Sequence, residues 1–149
     1  MAVVFTGCDK TTGDGWFYNY GNEDQKVTFG FNAQPVGEPY LVPGTAIYGQ
    51  NAKGEFQLVD HANKIKIHGT FTITLAYDPT LYEGYQVFGG AASVNGEEGF
   101  GVTGYFYDAN HDSGYGLGPD DRFQIQAYKG SVSYDYFGVL TGGNVTTHK

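Results

Sequence analysis

The sequence predicts an all-β domain, an antiparallel β-barrel that is closed or nearly closed, with a sandwich as the alternative. Three observations carry that prediction. Apolar and polar residues alternate at period two along most of the chain, and no window holds a sustained helical stripe. The alternating runs are aromatic and β-branched, with 13 tyrosines and 11 phenylalanines among 149 residues, which suits a half-buried pleated surface. Turn residues punctuate the runs at short intervals, as they do in sandwiches and barrels.

A first strand is expected near 15–20. Val27-x-Phe29-x-Phe31-x-Ala33 then puts four apolar side chains on one face of a strand near 26–34. Strands near 44–49 and 54–60 follow, separated by the turn signal Asn51-Ala-Lys-Gly54. Ile65-x-Ile67 marks a strand near 63–68, and Phe71-x-Ile73-x-Leu75 marks one near 70–77. Val87 falls in a strand near 85–95 and Phe100-x-Val102 in one near 99–107. Between them Asn95-Gly96 is a type I′ hairpin signal. Phe123-x-Ile125-x-Ala127 marks 121–129, and the stretch 132–148 reads as one last strand or as two. Pro35-Val-Gly-Glu-Pro39, Pro43-Gly44 and Asp78-Pro79 supply further turns. Gly30, Gly89, Gly90, Gly101 and Gly104 lie inside strands, where glycine suggests a bulge or a barrel corner. No linker divides the chain, so residues 1–149 are read as one domain.

Composition excludes several classes. Sixteen acids against eight bases give a net charge of −8, unsuited to tracking a phosphate backbone. Nucleic acid is therefore not an expected partner. No apolar stretch reaches the length of a membrane span. The aromatic content argues against disorder. The first ten residues carry no basic region or apolar run of a signal peptide. Cys8 is the one cysteine and offers no intrachain disulfide.

Three blocks in fixed order carry a resemblance. Gly13-Asp-Gly-Trp16 is followed by Val27-Thr-Phe-Gly-Phe-Asn32; Ala92-Ser-Val-Asn-Gly96, Gly99-Phe100, Val102 and Asp108 precede Asp121-Arg-Phe-Gln-Ile125; and Gly138-Val-Leu-Thr-Gly-Gly-Asn-Val-Thr-Thr-His-Lys149 closes the chain. Together they resemble the post-COAP-type β-rich module of bacterial extracellular and cell-surface proteins. The resemblance implies a secreted or cell-surface location and a β-rich architecture, and it implies no catalytic activity. The chain departs from that pattern between Asp108 and Asp121, where a short loop is replaced by a longer acidic one.

That loop is the first chemical candidate. Asp108, Asn110 and Asp112 alternate like oxygen ligands of a calcium loop, with Asp120 and Asp121 placed to complete the shell. It is not an EF-hand, since Ser113 and Pro119 stand where that loop needs Gly and Glu. The competing reading is a solvated turn whose Asp and Asn side chains bond their own backbone. Calcium is the one cofactor expected. The second candidate is aromatic: Trp16, Tyr18, Tyr20, Tyr105, Tyr107 and Tyr115 are expected to stack on a glycan or another cell-surface partner. Their bland alternative is cross-strand pairing that clads the sheet. Open β edges offer a third interaction, homo-oligomerisation.

An enzyme reading finds little support. His61, His68, His111 and His148 are scattered, and the adjacent pairs Glu97-Glu98 and Asp120-Asp121 point to opposite faces of a strand. No catalytic residue is assigned. The expected function is a non-catalytic structural or binding module. The alternative is a small-barrel enzyme or a lipophilic-ligand binder using an aromatic-lined lumen. A binding module predicts a filled interior and exposed aromatics; a barrel enzyme predicts an open cavity with convergent polar groups.

Overall fold

Each apolar alternation becomes a strand, and the strands join edge to edge in one sheet. The computed structural model describes residues 10–41, 43–44, 48–76, 85–109 and 120–148. Among these lie β1 (Lys10–Tyr18), β2 (Lys26–Leu41), β3 (Tyr48–Asp60), β4 (Ile65–Ala76), β5 (Tyr85–Val94), β6 (Glu97–Tyr107), β7 (Arg122–Lys129), β8 (Val132–Val139) and β9 (Gly142–His148). A short 3₁₀ turn, Asn19–Gly21, follows β1. The sheet order is β8-β7-β6-β5-β4-β3-β2-β1-β9, with every neighbouring pair antiparallel. The sheet curls through 245° into a half-barrel with open edges. The all-β, antiparallel, barrel-like class is therefore the one the sequence predicts, built from one sheet rather than the two of a sandwich.

The last two strands make the curl. β8 pairs with β7, β9 pairs with β1, and the alternation of the meander gives β8 and β9 the same direction. Only Leu140 and Thr141 separate them. Leu140 N–H donates to Asp121 C=O (3.0 Å), and Thr141 N–H donates to Trp16 C=O (3.0 Å). One continuous path thus leaves β7 and joins β1, which places opposite ends of the sheet side by side.

Curvature brings the inward side chains of distant strands together. Phe29 on β2 stacks on Phe123 of β7 with centroids 4.0 Å apart, and Phe31 stacks on Phe106 of β6 at 3.9 Å. Phe56, Phe71 and Phe88 extend the cluster across β3, β4 and β5. Phe17, Phe88, Phe106 and Phe123 are fully buried. The hydrophobic effect is proportional to the apolar area removed from water, so burial of this ring cluster favours the curled sheet.

Rings of this size need room in the sheet, and glycine supplies it. Phe31 lies opposite Gly13, Phe56 opposite Gly69 and Tyr128 opposite Gly101. A Cβ on Gly69 would fall 2.2 Å from the Phe56 ring, and one on Gly101 2.6 Å from the Tyr128 ring. Gly101 is therefore a seat for a ring in a regular pairing, not a bulge. Gly90 does fit the expected irregularity, since it faces a register shift between Phe71 and Ile73.

Several expected turns lie inside strands. β3 runs through Asn51–Gly54 because the extra residue is absorbed as a bulge, with the β3–β4 register shifting between Asn51 and Glu55. β2 likewise continues through Pro35–Pro39, with a shift between Val36 and Tyr40. The expected strands at 63–68 and 70–77 are one strand, β4. Asn95 and Gly96 adopt φ of 48° and 84°, the two left-handed residues that a type I′ turn requires.

Candidate functional site

The inward and outward faces of the sheet divide structural from available chemistry. Asp60, at the end of β3 and with no solvent exposure, is a heavily bonded inward polar group. Its Oδ1 accepts the backbone N–H groups of Ala62 and Asn63, both at 3.1 Å. Its Oδ2 accepts Gln25 Nε2, Asn63 Nδ2 and Tyr136 Oη, each at 2.9 Å. Burial opposes ionisation of this carboxyl, but the hydrogen bonds from Asn63, Gln25 and Tyr136 outweigh it and hold the group below the ordinary carboxylate range. Burial, reinforced by the Asp60 charge, pushes the Tyr136 hydroxyl well above its ordinary value. All five donors converge on the carboxylate, so it is a structural tie from β8 to the β3–β4 turn. Sequence reading passed over Asp60, although Asp followed by Ala-Asn two and three residues on is an Asx-turn pattern.

The two sheet edges are dressed by side chains. On β8, Phe137 N–H donates to Asn19 Oδ1 (3.0 Å) and Asn19 Nδ2 donates to Asp135 C=O (3.4 Å). A single carboxamide thereby copies the bonding of a neighbouring strand. On β9, Val145 N–H donates to Asp121 Oδ2 (2.8 Å), while Ala109 N–H donates to Asp121 Oδ1 (2.9 Å).

The residues expected to hold calcium are distributed as follows. Asp108 is buried, Asp120 is exposed, and Asp121 binds backbone N–H groups at the root of the loop. Asn110 and Asp112 lie outside the described residues. Among the described residues no three His, Cys, Asp or Glu side chains converge as a metal-binding group.

The expected aromatic ligand residues fall in two places. Trp16 and Tyr18 lie half-buried on the outer face of β1, in an edge-to-face pair with centroids 5.4 Å apart. Lys26 Nζ sits 4.5 Å above the Trp16 ring. Tyr20 is 63 % exposed and packs 5.8 Å from Phe137 on β8. Tyr105 and Tyr107 stand on β6, away from β1; Tyr105 is half-buried and Tyr107 is only 2 % exposed. Tyr115 lies outside the described residues. The structure thus pairs Trp16 with Tyr18 and Tyr20 with Phe137, and places Tyr105 and Tyr107 on a different strand.

Beside the Trp16 row, the outer face of β2 and β3 holds a groove of about 370 Å³. Thr28, Asn32, Glu55, Gln57 and Val59 wall it and Gly30 floors it. Thr28 faces Trp16 across the β1–β2 pair and is hydrogen-bonded to His61 Nε2 (3.0 Å). Glu55 Oε2 lies 3.6 Å from His68 Nε2. Sequence reading missed these walls because each is an ordinary outward strand position, polar at Thr28, Asn32, Glu55 and Gln57 and β-branched at Val59; only the in-strand glycine was visible.

Fold and site define a curled antiparallel β-module, filled with rings inside and grooved outside. No family model, no curated protein and no solved structure matches the chain.

Proposed function

We propose that the chain is a non-catalytic extracellular or cell-surface module that binds glycan through its outer face. The observation that carries this reading is the disposition of the aromatics. Phenylalanines fill the inside of the curl, whereas Trp16 and Tyr18 lie half-buried on the outer face and Tyr20 is exposed. A rigid ring with a polar tip is suited to the apolar face and hydroxyl rim of a sugar. The same disposition favours this reading over a lumen ligand, because Phe29 on Phe123 and Phe31 on Phe106 occupy the space that such a ligand needs. The surface location rests on the resemblance of the motif order to that of post-COAP-type modules.

Trp16 is the one tryptophan of the chain, so its fluorescence reports on the proposed face. Titration with soluble polysaccharides is expected to give a saturable change in its emission. Tyr20→Ala should weaken the interaction about tenfold, equivalent to roughly 1.4 kcal/mol. Absence of any saccharide-dependent change across a broad panel would overturn the proposal, as would turnover of a bound saccharide.

The proposal includes calcium in the acidic loop, whose two ends are held together by the bond from Ala109 to Asp121. EDTA is then expected to lower Tm by several degrees and added calcium to restore it, since a metal bound only to the folded state stabilises it by mass action. A Tm indifferent to EDTA, or an EDTA effect unchanged in Asp112→Ala, removes calcium from the proposal.

A further inference from the structure

We infer that the groove over Gly30 is the subsite for a neutral sugar unit of the bound chain, an inference that rests on the glycan-binding reading above. Its starting point is a glycine that the fold does not need. Gly13, Gly69 and Gly101 make room for rings. Gly21, Gly37, Gly44, Gly96 and Gly130 also have open space above them, but each adopts a left-handed φ between 59° and 84°. Gly30 alone among the described glycines combines an ordinary φ with no atom within 4 Å of the place a Cβ would take. It also sits in unbroken register, between Asp14 on β1 and Gln57 on β3. Neither a turn, a bulge nor a neighbour calls for glycine there. Glycine weakens a strand interior relative to residues with side chains. The space it keeps open is the floor of the groove.

The lining identifies the occupant's chemistry. Asn32 and Gln57 carry carboxamides that both donate and accept, as ring hydroxyls require. Glu55 adds an acceptor and a negative charge, and among the described residues neither Lys nor Arg lines the groove, so a phosphate, sulfate or uronate seated there meets a carboxylate and no lining cation. Val59 offers an apolar contact to the C–H face of a pyranose, and the missing side chain at Gly30 lets the ring approach the sheet closely. The volume lies near the lower end of the roughly 300–1,000 Å³ typical of small-molecule sites. Because Thr28 and Trp16 face each other across β1–β2, a chain seated in the groove runs directly onto the aromatic row.

The test is Gly30→Val, read by Tm and by Trp16 fluorescence with a neutral polysaccharide and a polyuronate as probes. A β-branched residue suits a strand, so Tm should hold or rise while affinity for the neutral chain falls at least tenfold. Gln57→Ala should lower affinity in the same direction without moving Tm. If Gly30→Val binds like the unmodified chain while Tyr20→Ala does not, the groove is not the subsite, although the glycan-binding module stands. Preference for the polyuronate overturns the neutral class. A Gly30→Val chain that fails to fold shows that the space above Gly30 is not free, and the inference falls with it. Absence of all saccharide binding by the unmodified chain removes the glycan reading and this subsite together.

Discussion

At the scale of single residues, Asp60 and Tyr136 make stability depend on pH from two sides. The Asp60 carboxyl is held below its ordinary value, so its contribution is present above the unfolded carboxylate pKa of about 3.9 and is lost as pH falls through the folded value. Tyr136 is raised, so its contribution is present below the unfolded tyrosine pKa of about 10 and is lost as pH climbs beyond it. Thermal melts across pH should therefore show an acid limb and an alkaline limb. Tyr136→Phe is expected to flatten the alkaline limb and to cost about 1–2 kcal/mol at neutral pH, since one donor to a buried carboxylate is lost. Asp60→Ala should cost more, about 3 kcal/mol, because it strands the donors of Gln25, Asn63 and Tyr136 together. An alkaline limb unchanged in Tyr136→Phe would assign that limb to other groups.

At the scale of elements, a strand edge is open to another chain unless something occupies its N–H and C=O groups. Asn19 does this on β8 and Asp121 on β9. Asn19→Ala is expected to destabilise the fold by about 1–3 kcal/mol, through the unpaired groups left at Asp135 and Phe137. The same variant should shift the chain toward dimers or aggregates by size-exclusion chromatography; a monomer of unchanged Tm would show that this carboxamide guards nothing. Legibility at this scale followed the physics of pattern. Val27 to Ala33 and Phe123 to Ala127 announce their strands because alternation is a local property. Asn95-Gly96 announces its turn because both residues tolerate left-handed φ. Gly54 and Gly69 misled for the opposite reason. A glycine that absorbs a bulge or seats Phe56 looks in sequence like one that breaks a strand, and the ring above it comes from a partner strand. Asn19 was illegible as an edge guard because its partners lie 116 and 118 residues away. The outer groove was hidden likewise, since its walls come from two strands whose register a single sequence leaves open.

At the scale of the whole molecule, one ring cluster spans the curl from β2 to β7. Phe123 touches Phe17, Phe29, Phe31 and Phe106. Phe123→Ala should therefore cost about 3–5 kcal/mol, the range for emptying a buried aromatic site. Urea unfolding should show the loss as a lower midpoint with an unchanged slope; a cost below about 1 kcal/mol would mean that the rings collapse freely into the vacated volume. The pairing of β1 with β9 has a mechanical consequence. Lys10 lies opposite His148, so the first residue of β1 and the last of β9 are side by side. Tension applied through both flanks loads the β1–β9 bonds one after another, as a zipper opens, instead of shearing them together. The opening front passes Thr147 and Thr146 and then reaches Val145, where the Asp121 carboxylate grips the strand from its other side. A module pulled in this way yields at its margin under low force and meets its first stop at that bond, with the ring cluster still closed behind it.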